Sequence, residues 1–453
     1  MKPLLHFQPI SRAVRRAGRS ATALLIAGLT PTAIPAQDAY EREPIHYWTA
    51  PLTDPVTRLK KDLESGDLEL DASTERSWLA GVLAALKVPE SSQVLVFSKT
   101  SLQRNRISPE TPRALYFNDE VYVGWVPGGA VELAAIDASV GLVFYLLERP
   151  APAVVTATGQ TAPGRPVLLR DQECLSCHAG PMTGNVPGFM IRSVYPDTQG
   201  NPILTAGTKL TGHHSPLEQR WGGWYVTGSH HPMHHMGNAL ARETTNGADL
   251  DLESGANANS LKRYFDVSRY PLDQSDIVAL MVLEHQVNLQ TMMTQAQYAV
   301  KSAIYREDAL RREMPDAGPS LGDSTRRIIT HEAAHLVKNM LFADEAPLTD
   351  EGVSSTSLFA DDFARAAPRD QTGQSLKTLH LGSRLFKNRC SYLINSPYFD
   401  ALPPRLIEEI SRFMREALVG PDAYGHATHL RPEEKRRIAA ILRETKPAFA
   451  RSW

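Results

Sequence analysis

The feature that most constrains this chain is the run Cys174-Leu175-Ser176-Cys177-His178, a C-x-x-C-H motif that holds two of its three cysteines. With this spacing both thiols reach the vinyl groups of one haem and form thioethers, and the histidine lies under the iron as its proximal ligand. Fewer than about 0.1% of chains of this composition contain the pattern by chance. A thioredoxin-like C-x-x-C would open a helix in a βαβ unit, which the flanking residues do not predict. We therefore predict one covalent haem c, attached through Cys174 and Cys177 and ligated by His178.

The first 36 residues are typical of a secretory signal peptide. Basic residues precede a short apolar run at 21–29, and small residues with a cleavage site after Ala36 follow. The run is far shorter than the ~20 residues of a membrane span, and no later stretch reaches that length. Arg15-Arg16 would also suit twin-arginine export, but the usual apolar residues do not follow. Because haem c is attached outside the cytoplasm, a periplasmic location agrees with the haem motif.

Composition excludes several classes of protein. The formal net charge of −2 gives no reason to expect a nucleic acid or an anionic membrane as partner. A mature chain of roughly 415 residues is long enough for two or three domains. Three cysteines are too few for a disulfide framework, and the haem would use two of them. The third, Cys390, lies between apolar residues and is predicted to be a buried, inert thiol.

The mature chain divides into three predicted parts, which together indicate an α+β fold. Residues 40–150 combine amphipathic helices with short β-branched and aromatic runs, typical of an antiparallel sheet. A stretch rich in Pro, Ala, Thr and Gly at 148–166 is a candidate linker. Residues 166–245 form a loop-rich haem segment, and residues 260–453 are mostly helical.

Local signals predict the individual elements. Helices are expected at 54–66, at 73–85 (capped by Asp71, Ser73 or Thr74), from Ser275 or Asp276 to about 305, and at 323–342, 403–418 and 431–445. Strands are expected at 93–98, 114–118, 121–126, 131–137 and 142–148, and in the haem segment at 166–173, 188–196 and 222–228. Polar or Gly-rich stretches at 246–259, at 316–323 and up to about 375 separate the later elements.

Several long stretches resemble one family. They are SSQVLVFSKTSLQRNRISPETPRALYFNDEVYVGWVPGG, ECLSCHAG, HHSPLEQRWGGWYVTGSHHPMHHMGN, SDIVALMVLEHQ and CSYLINSPYFDALP. They look like a group of exported bacterial cytochrome c domain proteins with a single haem-c motif, and the resemblance runs over nearly all of the mature chain. It implies covalent haem at Cys174 and Cys177 with His178 as iron ligand. It names no substrate.

The second axial position of the iron decides the chemistry, because a strong ligand favours electron transfer and an open position admits a small molecule. A segment that begins 35 residues after His178 is rich in neutral iron ligands: His213, His214, His230, His231, Met233, His234, His235 and Met236. We predict that the ligand is one of these, with His214, His230 and His235 ahead of Met236. His285 or an open position are the alternatives, and Met182 is too close to His178 to cross the haem. A polar surface loop is the competing interpretation.

The same segment has two further interpretations. Imidazole and thioether ligands together suit copper, and the histidines could also bind zinc. The spacing of these residues, however, does not match a known closed site for either metal. Arg220, Trp221, Trp224 and Tyr225 would contact the haem edge, with the arginine binding a propionate. Alternatively, Trp221 and Trp224 are core aromatics, and the sequence leaves both interpretations open.

His331-Glu332-Ala333-Ala334-His335 is a literal H-E-x-x-H on a predicted helix, where two histidines would bind zinc and the glutamate would activate water. Chance produces this pattern in about 3% of such chains. Glu345 and Glu351 do not have a convincing spacing for a third ligand, and solvated helix histidines are the favoured interpretation. The neighbouring pair Glu284-His285 is either an acid/base or metal pair or, preferably, part of helix packing.

The sequence therefore predicts a periplasmic monohaem c-type cytochrome that binds haem and transfers electrons. Its partner is a redox protein or a small molecule, with no nucleic acid and no membrane span in the mature chain. The first alternative is a haem-c oxidoreductase or peroxidase-like enzyme, which the length supports, since a carrier needs only ~100 residues around one haem. The second alternative is a zinc metalloprotease acting through residues 331–335.

Overall fold

The structure is a computed structural model that describes residues 39–453 apart from 151–153, 156–160, 163–164, 246, 315–320, 350 and 356. The predicted signal peptide lies outside the described residues, as do parts of three predicted connecting stretches, at 148–166, 246–259 and 316–323. The described chain combines helices with antiparallel sheets and has a helical C-terminal region, which confirms the predicted α+β class.

The first two helices begin at side-chain caps. Helix α1, Pro55–Ser65, starts where the Asp54 carboxylate accepts hydrogen bonds from two backbone amides, and it ends at Gly66, whose φ of 83° suits glycine. Helix α2, Glu75–Ala85, starts at Thr74 in a capping box. Both predicted helices are confirmed, and Thr74 is the capping residue among the three candidates.

The strands are short. They are β1 Val94–Val96, β2 Arg113–Phe117, β3 Val121–Trp125, β4 Val131–Asp137, β5 Gly141–Glu148, β6 Val154–Val155, β7 Thr161–Ala162, β8 Val167–Arg170, β9 Ile191–Val194, β10 Thr208–Thr211, β11 Trp224–Tyr225, β12 Ala241–Thr244 and β13 Gly247–Leu250. The five strands predicted between residues 93 and 148 are confirmed, and so are the three predicted in the haem segment.

The largest sheet has seven strands in the order β11-β1-β2-β3-β4-β5-β8, and all its neighbours are antiparallel. Both edge strands, β8 and β11, come from the predicted haem segment. The haem segment is therefore hydrogen-bonded to the N-terminal sheet on two sides, and the C-x-x-C-H run follows directly after an edge strand. β9 and β10 pair separately, as do β12 with β13 and β6 with β7.

The helical region is built around one long helix. After α3, the single turn Leu175–His178, come α4 Ile277–Glu313, α5 Asp323–Met340, α6 Phe359–Arg365, α7 Pro397–Asp400, α8 Pro404–Leu418 and α9 Pro432–Thr445. Asp276 caps α4, and the first half of this helix is buried on all sides, as its apolar composition predicts. Helix α6 lies inside the stretch that was predicted as a polar linker.

Helix α4 packs on one face of the seven-stranded sheet. The amide of Gln286 donates to the Tyr122 hydroxyl on β3 at 2.9 Å, and farther along the helix Gln297 donates to the Ala138 carbonyl. Residues from all three predicted parts share one hydrophobic cluster. Cys390 is fully buried in it, as predicted, and burial raises the pKa of its thiol. Within the described ranges, no helix has the length and apolar character needed to cross a bilayer.

Candidate haem-binding site

The C-x-x-C-H run folds as one helical turn at the end of β8. The Cys174 carbonyl accepts hydrogen bonds from the amides of Cys177 at 3.2 Å and His178 at 2.9 Å. This turn brings both thiols and the imidazole together on a short rigid element. Both cysteines are free thiols; Cys174 is half-buried and Cys177 is exposed. The arrangement leaves two sulfurs available for one macrocycle, as the haem prediction requires.

The imidazole of His178 is held through one nitrogen. Its Nδ1 lies 3.0 Å from the Gly188 carbonyl oxygen, and the Gly188 amide donates to the His178 carbonyl at 2.8 Å. Because a carbonyl oxygen only accepts, Nδ1 carries the proton and Nε2 has the free lone pair. Nε2 has no hydrogen-bond partner among the described residues. Metal-binding histidines are usually oriented in this way, by a hydrogen bond from the other ring nitrogen.

Two phenylalanines enclose the His178 ring. Phe144 on β5 stacks on it with ring centroids 4.9 Å apart, and Phe189 meets it edge-on at 5.1 Å. Burial lowers the pKa of His178 to about 4, although the hydrogen bond to Gly188 opposes the shift. The imidazole is therefore neutral at neutral pH, which is the form that binds iron. Burial, with Asp171 and Glu132, raises the pKa of the Cys174 thiol to about 12.

Helix α4 forms hydrogen bonds with the loop that follows His178 in the chain. The Thr291 hydroxyl accepts from the Phe189 amide at 3.0 Å and donates to the Phe189 carbonyl at 2.9 Å. One turn on, Gln295 donates to the Thr183 carbonyl at 3.0 Å. A side chain at Gly188 would come within 2.7 Å of Thr291, so only glycine allows the loop this close to the helix. The position of His178 is thus set by residues more than 100 positions away in the sequence.

Three of the predicted second ligands are engaged elsewhere. His230 donates from Nδ1 to the Met233 carbonyl and accepts at Nε2 from the Asn257 amide. His235 is buried against Trp221 and accepts at Nδ1 from the Gly237 amide at 3.0 Å. The sulfur of the buried Met236 accepts from the Ser193 hydroxyl at 3.4 Å.

His214 differs from the other candidates. It is exposed, and its ring has no hydrogen-bond partner within the described residues, whereas His231 and His234 pair with Glu351 and Glu253. His213 contacts His285, with the two Nδ1 atoms 3.4 Å apart. None of these side chains is among the ring or hydrogen-bond contacts of His178. The second axial ligand stays a prediction, and His214 is an exposed candidate with no hydrogen bond on either ring nitrogen among the described residues.

Arg220 serves the core in this structure. It forms a buried salt bridge with Glu284 at 2.9 Å and donates to the carbonyls of Ser215 and His213. The Thr211 hydroxyl donates to the second oxygen of Glu284 at 2.6 Å. The guanidinium that was predicted to bind a propionate is therefore occupied. Glu284 and His285 do not act as a pair, because His285 contacts His213 and Ser391 instead.

The aromatic residues beside Arg220 have structural contacts. Trp221 is fully buried, the Trp224 indole donates to the Arg192 carbonyl at 2.9 Å, and the Tyr225 hydroxyl donates to the Pro109 carbonyl at 2.8 Å. These contacts favour the interpretation of Trp221 and Trp224 as core aromatics.

Sequence reasoning missed a charged pair that influences the haem motif. Arg113 on β2 and Glu132 on β4 form a salt bridge with side chains only 17% and 13% exposed. Both act electrostatically on Cys174 and His178. The available signal was the presence of Arg113 and Glu132 in two mostly apolar strands, where burying a charge is costly unless it is paired.

The H-E-x-x-H run lies on α5, as predicted, with both histidines exposed and their rings 6.3 Å apart. Of the two acids considered as a third ligand, Glu345 accepts from the Leu385 amide and Glu351 lies beside His231. In the part of the chain that the structure describes, no cluster of three His, Cys, Asp or Glu side chains is suited to a metal ion. The geometry favours solvated histidines.

We expect the double substitution His331→Ala with His335→Ala to leave haem content and redox activity unchanged, because these side chains lie on an exposed helix face. Metal analysis of the purified wild type and variant checks this. One zinc per wild-type chain, lost in the variant, would show that α5 carries a metal site.

Comparison of the chain with models of protein families, with curated proteins and with solved structures found no match. The resemblance to exported single-haem proteins therefore stays a prediction, and the function has to be argued from the site.

Proposed function

We propose that the protein is a periplasmic c-type cytochrome with one covalent haem and that its general activity is electron transfer. The observation that carries this proposal is the state of His178, whose Nδ1–H donates to the Gly188 carbonyl while Nε2 has no partner in the described part of the chain. Two free thiols on the same helical turn complete the attachment set. These residues fit haem c, with Cys174 and Cys177 as thioether donors and His178 as proximal ligand.

The bound haem would supply a one-electron redox centre, and the chain determines its setting. The hydrogen bond to Gly188 orients the imidazole and increases the basicity of Nε2. Phe144 and Phe189 shield two sides of the ring, which favours a stable iron bond. The signal-like first 36 residues support export to the periplasm, where covalent attachment takes place. The partner is a redox protein or a small molecule.

A second candidate is a haem-dependent oxidoreductase of the peroxidase-like kind. One observation favours it: three of the four ranked ligand candidates, His230, His235 and Met236, already have other hydrogen-bond partners. An iron whose second position is open binds small molecules. The two candidates differ only in this position, so one spectroscopic experiment separates them.

We expect the oxidised and reduced optical spectra of the wild type to be those of a low-spin c-type haem. His214→Ala should convert the haem to a high-spin form that binds CO, because this histidine has free ring nitrogens. His231→Ala is the matched control, since it removes an exposed histidine of the same segment that already pairs with Glu351.

The outcomes discriminate between the candidates. Ready CO binding by the wild type, unchanged in both variants, would favour the oxidoreductase. A wild type that excludes CO, with no change in either variant, would place the second ligand elsewhere, and His285→Ala would be the next test.

A further inference from the structure

A row of directly paired residues crosses five strands of the large sheet. Leu115 is opposite Gly124, which is opposite Glu132, and the row continues through Leu146 to Leu169. Residues that pair in this way project from the same face of a sheet. The next row on that face, two residues along each strand, is Phe117, Tyr122, Ala134 and Phe144.

The two rows differ in what covers them. The phenylalanine row is buried under helix α4, Phe189 and Phe359. In the leucine row, Leu115 and Leu146 are only half-buried, and Leu169 on the edge strand is 55% exposed. The face is therefore closed up to Phe144 and open beyond it at Leu146 and Leu169, which form an apolar strip on β5 and β8; Gly124 and Glu132 separate this strip from Leu115.

The open strip adjoins the haem motif. His178 stacks on Phe144, the last covered residue beside Leu146. Cys174 follows Leu169 by five residues, directly beyond the end of β8. A haem bonded to this turn has an apolar macrocycle that needs an apolar surface within a few ångströms of its attachment points. The strip is such a surface, and covering it would remove apolar area from water.

Arg113 and Glu132 border this strip, because Glu132 pairs directly with Leu146. The Arg113 side chain crosses above Gly124, where any Cβ would collide with its guanidinium, and reaches Glu132 two strands away. The Glu132 carboxylate also accepts from Gln103 at 3.0 Å. The Nε of Arg113 is buried and has no acceptor among the described residues. A guanidinium with spare donors beside a haem is suited to a carboxylate.

We propose that the haem lies against the strip formed by Leu146 and Leu169, with Arg113 binding one haem propionate and Glu132 holding that arginine in place. The inference rests on the proposed function, because it needs the haem to be attached at Cys174 and Cys177. Arg113 and Glu132 are positioning residues in this arrangement, and their charges set the reduction potential of the haem. A positive charge near the iron favours the reduced state, and a negative charge favours the oxidised state.

Thiol labelling of the holoprotein tests whether the haem covers the strip. In the holoprotein Cys174 and Cys177 would be bonded to haem and Cys390 is buried, so none of the three native cysteines should react. Leu169→Cys should react with a maleimide about tenfold more slowly than Leu204→Cys, because exposure controls thiol reactivity. Leu204 is the matched control, an apolar residue that is 84% exposed. Mass spectrometry must show one haem per chain in both variants. Equal labelling rates would overturn the proposed haem position.

The charge pair is tested by redox titration of Arg113→Gln and Glu132→Gln. At a fixed applied potential, Arg113→Gln should decrease the ratio of reduced to oxidised haem and Glu132→Gln should increase it, each by roughly tenfold, because each substitution removes one unit charge beside the haem. Arg389→Gln is the control, since it breaks a similarly enclosed salt bridge, with Glu434 at 2.8 Å, among the C-terminal helices. Its ratio should not change.

The proposed function and the proposed role of Arg113 and Glu132 are contradicted by different results. Absence of covalent haem from the wild type would overturn the proposed function itself. Covalent haem with unshifted ratios in both charge variants would leave the cytochrome intact and overturn only the role of Arg113 and Glu132.

Discussion

Replacing Cys174 and Cys177 by alanine is expected to remove covalent haem from the protein completely. In the proposed attachment the two thioethers would be the only covalent links. Both sulfurs belong to one helical turn, in which the Cys174 carbonyl accepts hydrogen bonds from the amides of Cys177 and His178. Loss of the haem should also leave residues 166–245 poorly folded, because a cofactor that binds only the native state contributes its binding free energy to folding. Haem staining after denaturing electrophoresis and the intact mass measure the effect.

Cys390→Ala is the matched control for this experiment. Cys390 is the third cysteine of the chain and is fully buried in the core, without any hydrogen bond to the haem turn. This variant should retain one haem per chain. Haem-stained protein that survives denaturation in the Cys174→Ala, Cys177→Ala double variant would contradict covalent attachment at this motif.

The second large effect is expected at the buried salt bridge between Arg220 and Glu284. Both side chains are almost entirely excluded from solvent, at 3% and 0% exposed. Glu284→Ala leaves the Arg220 guanidinium charged and unpaired in the core, and it removes the acceptor of the Thr211 hydroxyl. Removing one partner of a buried ion pair typically lowers the free energy of unfolding by about 3–5 kcal/mol. Denaturant unfolding followed by circular dichroism measures this loss.

Glu408→Ala is the matched control, because Glu408 forms a salt bridge of similar length with Arg405 on an exposed helix face. It should cost less than about 1 kcal/mol. If Glu284→Ala were equally mild, Arg220 would not depend on this carboxylate. If Arg220→Gln instead changed the reduction potential, the sequence-based prediction that this arginine binds a propionate would regain support.

Local features of this protein were predictable from sequence alone. Two helices of the structure were predicted from their capping residues, Thr74 and Asp276, and from the helical spacing of the apolar residues that follow. Alternating β-branched and aromatic residues likewise predicted the antiparallel strands. These signals are readable because backbone hydrogen bonds within a helix, and side-chain alternation in a strand, depend on residues only a few positions apart. The C-x-x-C-H motif belongs to the same category, since one helical turn brings its three groups together.

The tertiary structure decided which groups meet. Arg220 and Glu284 are 64 residues apart, and no local pattern indicates that they pair. The same holds for Gly188, whose carbonyl selects the tautomer of His178, and for Arg113, which reaches Glu132 across a neighbouring strand. The spacing of apolar residues along a segment indicates its secondary structure and its buried face. Strand order and helix packing determine which other segments it contacts. The sequence by itself therefore determined the fold class and the predicted haem attachment point, and only the fold determined the surroundings of His178.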